Sequence, residues 1–157
     1  MDSQLVTSRL FIDADACPVK NESIRIAERH KIETYIVSNG GIRPSLNSLV
    51  KTIVVSAGPD VADNWIVEQI QKSDIVITSD IPLASRCIEK GAFVLSHNGD
   101  PLNNDNIGLK LASRDLMTDI RSANPFHIGK GKPFSKIDRT KFLNQLEKIF
   151  QTIKKSL

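Results

Sequence analysis

Cysteine is scarce in this chain. Cys17 and Cys87 are the two in 157 residues, far apart and without CxxC spacing, so neither a disulfide framework nor a zinc site is expected. Histidine is nearly as thin, and His30, His97 and His127 share no metal-ligand spacing. No stretch approaches the ~20 consecutive apolar residues that span a bilayer, so no membrane partner is expected. Met1 to Arg9 carries Asp2 and lacks a long apolar run, so no secretory signal is read there and a reducing cytoplasm is the expected location. Internal repeats and low-complexity segments are missing too. Charge of neither sign dominates: the formal net charge of +3 is compatible with a nucleic-acid partner but does not argue for one.

What is present is an ordinary globular composition, 40% hydrophobic and 25% charged, in a length that buries a core without covalent staples. One domain over residues 1–157 is expected, with a C-terminal helical extension from about residue 109. Short apolar runs alternate with amphipathic stretches. Leu10-Phe11-Ile12 reads as a strand stopping at Asp13, and Pro18 is suited to a helix's first turn. Thr34 to Val37 reads as a second strand, ended by Asn39-Gly40-Gly41, and Thr52 to Val55 as a third, closed by Gly58-Pro59. Asp60 is placed to cap a helix carrying Val61, Trp65, Ile66 and Ile70. Ile75 to Thr78 gives a fourth strand, Pro82 to Ile88 a helix, and Ala92 to Leu95 a fifth strand. Helices are read from about Leu109 to Ser122 and from about Ser135 to Lys154, the last with Phe142, Leu146, Ile149 and Ile153 as a docking face. Strands separated by helical crossovers require a mainly parallel sheet, and near-continuous apolar strands require cover on both faces. The expectation is a Rossmann-like α/β three-layer sandwich of about five strands.

The aspartates fall in a pattern. Asp13 and Asp15 follow the first strand, Asp80 follows the fourth, and Asp60 and Asp63 open the helix after the third. In an open parallel sheet all of these lie at the carboxyl edge, where such folds bind ligands. Carboxylates gathered in one cleft repel one another unless a cation sits between them. Oxygen donors without His or Cys suit Mg²⁺ or Mn²⁺, which polarise a phosphodiester and acidify a bound water. Asp60 and Asp80 also read as helix caps, and Asp74, at the opposite edge, reads as a turn residue. Cys17 reads as packing and His97 as a loop residue near the proposed edge. Ser38 and Asn39, in the turn after the second strand, could meet a phosphate. Arg114, Lys130, Lys132, Lys136 and Arg139 could supply cations to a polyanion.

FIDADACPVK, SAGPDVADNWIVE, DIVITSDIPLASRCIEKGA, LKLASRDLMTDIR and GKPFSKIDRTKFLNQL together closely resemble the YaiI/YqxD family of bacterial proteins, over about Leu10 to Leu146. That family in turn looks like a relative of the PIN and NYN metal-dependent ribonucleases. The resemblance implies that Asp13, Asp63 and Asp80 hold the metal, with Asp15 as an addition and Glu22 a loose match to a further acid. It implies RNA as the phosphate-bearing substrate, and it leaves the part from Leu109 onward outside the common PIN core. FIDADACPV also resembles the haloacid dehalogenase strand, which would make Asp13 a nucleophile and Asp15 an acid/base. In that reading Ser38 belongs to the second motif, but Cys17 stands where a threonine is usual. A non-catalytic nucleic-acid- or protein-binding module is the third reading.

Overall fold

A computed structural model describes residues 8–14, 17–40, 44–58, 60–123 and 134–155. Its elements run β1 (Leu10–Asp13), α1 (Lys20–Arg29), β2 (Thr34–Ser38), β3 (Val50–Val54), α2 (Val61–Gln69), β4 (Ile75–Ile77), α3 (Ile81–Glu89), β5 (Phe93–Leu95), β6 (Pro101–Leu102), α4 (Ile107–Ala123) and α5 (Lys136–Lys155). The six strands form one sheet in the order β3-β2-β1-β4-β5-β6. All neighbours are parallel except β5 and β6. This is the expected Rossmann-like α/β arrangement.

Strand alternation divides the core in two. Leu10 and Ile12 of β1 point to one face, where they join Ile26 and Ala27 of α1 and Phe142, Leu146 and Phe150 of α5. Phe11 points to the other, with Ile66 of α2 and Leu83, Ala84 and Cys87 of α3. β1 and β4 are buried on both sides, as centre strands between two helical layers must be. Among the described residues no helix is long and apolar enough to cross a membrane.

The differences from expectation lie at the sheet's margins. β3 begins at Val50, two residues before the apolar run, because Lys51 sits on an edge strand with one side in water. β6 is a two-residue edge strand on which Val94 pairs with Leu102 and Leu95 with Pro101. An edge tolerates that proline, whose missing N–H faces no partner. Helix α1 starts at Lys20 with Val19 at its cap, so Pro18 lies in the turn before it and not in its first turn. Asp60 precedes α2 but makes no capping hydrogen bond, since its φ of 66° is left-handed and a capping residue is extended. On α5 Phe150, not Ile149, takes the fully buried position. Asp74 is a structural residue at the far edge: 3% exposed, it accepts from the backbone N–H of Arg9 (2.9 Å) and Gln71 (2.8 Å) and from the Arg9 guanidinium (2.8 Å).

Candidate functional site

After β1 the chain builds β2 and β3 on one side, then returns across β1 to lay down β4 on the other. The crevice above β1 and β4 is therefore the topological switch point of the sheet, where ligands bind in open α/β folds. Asp13 is the last residue of β1, and Thr78-Ser79-Asp80 follows β4 directly. Thr78 is fully buried and links the two strand ends. Its hydroxyl donates to Asp13 Oδ2 at 2.8 Å and accepts from the Asp80 N–H at 3.0 Å. The Asp80 carboxylate in turn accepts from Leu83 N at 3.1 Å and caps α3.

Asp13, Ser79 and Asp80 line an open cleft of about 450 Å³ together with Asp60 and Asp63 of the α2 entrance, Asn39 and His97. Asp63 reports the electrostatics. Burial pushes its pKa up to about 6, and the charges of Asp80, Asp13 and Asp60 push the same way against the lesser effect of Arg86. The all-oxygen donor set suits a hard cation, which would relieve this repulsion. The cleft is not a ready-made cage: among the described residues no three His, Cys, Asp or Glu side chains form a group that could hold a metal ion. Asp15 falls outside the described residues.

The crowding of Asp63 has a thermodynamic consequence. A carboxyl whose folded pKa lies above its unfolded value stabilises the fold below the unfolded value, near 4, and loses that contribution as pH rises through about 6. With metal chelated at pH 7.5, Asp63→Asn is expected to stabilise the protein by about 1 kcal/mol after screening of a partly exposed group. That corresponds to a rise in Tm of about 2–4 °C, and none near pH 4. Thermal unfolding at the two pH values checks this; a lower Tm at pH 7.5 would refute the crowding.

The remaining candidates are distributed unevenly. Asn39 lines the cleft, whereas Ser38 is fully buried and its hydroxyl both donates to Gly40 O and accepts from Gly40 N. Arg114 lies on α4, exposed and 4.0 Å from Asp115, and is not among the cleft residues. Lys136 lines a shallow depression along α5 with Lys141 and Lys148. Lys130, Lys132 and His127 fall outside the described residues. Arg139 is engaged by Glu22 at 2.7 Å, so these two join α5 to α1. Cys17 packs against the core and burial raises its thiol to about 11, which leaves it unreactive at neutral pH. His97 belongs to the cleft: its backbone N–H donates to Ser79 Oγ at 3.2 Å and burial holds its imidazole below the ordinary pKa. Thr78 was absent from the residues the sequence picks out. Its signal, a threonine two before an acid at a strand end, lies inside VITSD.

Comparison with known proteins gives one consistent family. The family model described as "Uncharacterized BCR, YaiI/YqxD family" matches residues 11–152. The chain is 60% identical over 139 residues to a UPF0178 protein of Roseobacter denitrificans, covering 88% of this chain and 92% of that one. It is 57% identical over 140 residues to a UPF0178 protein of Ruegeria pomeroyi, covering 88% and 91%. A UPF0178 protein of Parvibaculum lavamentivorans is 52% identical over 148 residues, covering 94% and 97%. No solved structure matches.

Proposed function

This chain belongs to the YaiI/YqxD family, and we propose that it is a divalent-cation-dependent phosphodiesterase acting on RNA. The observation that carries the reading is that Asp13 and Asp80 hang from one buried threonine at the switch point, with Asp63 facing the same cleft. A bound Mg²⁺ or Mn²⁺ would supply an acidified water and polarise the phosphodiester. Asp13, Asp63 and Asp80, with Asp15 close to Asp13 in sequence, are the residues that would hold it. The protein's own contribution is preorganisation. Thr78 orients Asp13 through a hydrogen bond made before any ligand arrives, and the α3 N-terminus orients Asp80. Asp63 reaches its charged form only above about pH 6, so cation affinity and cleavage rise through that pH.

The haloacid-dehalogenase reading has less support. Its second-motif serine, Ser38, is folded into its own turn, and it assigns no role to Asp80. A phosphatase would hydrolyse phosphomonoesters and retain beryllofluoride at Asp13.

Calorimetric titration of Mn²⁺ into the wild type and Asp13→Asn tests the proposal. Binding in the wild type is expected, with a loss of affinity of tenfold or more in the variant, about 1.4 kcal/mol. A folded wild type that takes up no Mn²⁺ at millimolar concentration removes the autonomous metal site and favours a binding module.

A further inference from the structure

Beside the acidic cleft lies a second cavity, of about 480 Å³. The two share Ser79 and His97 as a common wall. Pro18, Leu102 and Phe134 give the second cavity an apolar and aromatic part, while Asn98, Lys110 and the acidic Asp100 and Asp138 give it a polar part of similar extent. His97 Nε2 is buried without a hydrogen-bond partner, so the residue meets the cavity as a wall and not through that nitrogen.

The loop that holds His97 is built to keep its shape. Ser96 N donates to Asp100 O at 3.0 Å, Gly99 N to Ser96 O at 3.0 Å, and Asp100 N to Ser96 Oγ at 3.1 Å. Lys141 of α5 binds the Asp100 carboxylate at 2.5 Å. Gly99 has φ +88°, and a Cβ there would stand 2.7 Å from Phe142 N, so the loop lies directly on α5. His97 is therefore presented from a pinned turn.

We propose that this cavity seats an unpaired nucleobase, that of a nucleotide flanking the phosphate held in the acidic cleft, with His97 standing between base and phosphate. The inference rests on the phosphodiesterase reading for the phosphate half of the ligand. A base has apolar faces and a hydrogen-bonding edge, which suits a lining that offers both an aromatic ring and polar side chains, and the volume suits a nucleotide-sized ligand. A base reaches such a pocket only when it is out of a duplex, so the substrate class is single-stranded RNA.

Ligand-observed NMR titration of the full-length protein in Mg²⁺ tests this, using the four nucleoside 5′-monophosphates and ribose 5-phosphate as probes. At least one nucleotide is expected to bind about tenfold or more tightly than ribose 5-phosphate, the scale of one well-seated base. In Asn98→Trp, which crowds the cavity, and independently in His97→Ala, that ratio should fall to within about twofold of one. Nucleotides that bind no better than ribose 5-phosphate, or an advantage that survives both substitutions, overturn the assignment. The two readings fail separately. A base advantage without Mn²⁺-dependent cleavage keeps the cavity and sinks the catalytic proposal, and cleavage without a base advantage does the reverse.

Discussion

Asp80→Asn is expected to cut Mn²⁺-dependent RNA cleavage about a thousandfold, roughly 4 kcal/mol of transition-state stabilisation, while leaving the fold nearly as stable as before. The substitution separates two roles that one side chain plays. As the cap of α3, Asp80 accepts from Leu83 N, and asparagine offers a carbonyl oxygen in the same place. As a member of the acidic cleft it contributes charge, which asparagine lacks. Asp80→Ala loses both, and should cost about 1 kcal/mol of stability beyond the asparagine variant. Single-turnover cleavage and urea unfolding of the three proteins give the two readouts. If Asp80→Asn cleaved at the wild-type rate, Asp80 would be a helix cap and nothing more, and the catalytic proposal would lose its second strand end.

Part of this site is legible without coordinates. Two aspartates directly after an apolar strand have few bland explanations, and Asp13 and Asp15 stand out on that ground, whereas Asp80 also reads as the helix cap that it is. Asp63 was found from the helix start. Thr78 escaped because its role depends on which strands are neighbours: only when β4 lies beside β1 does its hydroxyl reach Asp13. His97 was legible only as a loop residue near that edge, since the pinned hairpin after β5 and not its sequence neighbourhood brings its backbone N–H to Ser79. The cationic candidates show the converse limit. A lysine or arginine on a helix faces whichever way packing rotates that helix, and Arg114 and Lys136 lie outside the cleft.

The fold was read best where burial is complete. β1, β2 and β4 fall close to their apolar runs because both faces of those strands are covered. Errors gather where a strand has a wet side, at Lys51 in β3 and at Pro101 in β6. Local φ is the other hidden variable. Asp60 has the composition of a cap and the wrong backbone angle for one.

The C-terminal helix carries the largest expected stability effect. Phe150→Ala should destabilise the protein by about 3–5 kcal/mol, the cost of deleting a fully buried aromatic ring and leaving a cavity. Its ring packs in one cluster with Leu10 and Ile12 of the central strand, and His30 of the α1 end meets it edge-on at 5.3 Å. His30 Nε2 lies 2.6 Å from Glu147, which also pairs with Arg29, so α5 is fastened to α1 on the same turn that buries Phe150. A loss of that size lowers Tm by about 10 °C in a chain of this length. Ile149→Ala is the control, because Ile149 is only partly buried against the cluster and should cost less than half as much. The pair reads the rotation of α5 about its axis. Equal losses at the two positions would mean that the helix is turned from the orientation described, and then Lys141 and Phe142 would no longer be placed to brace the Gly99 turn. The stability of the last helix and the placement of the turn that carries His97 thus depend on the same helical register.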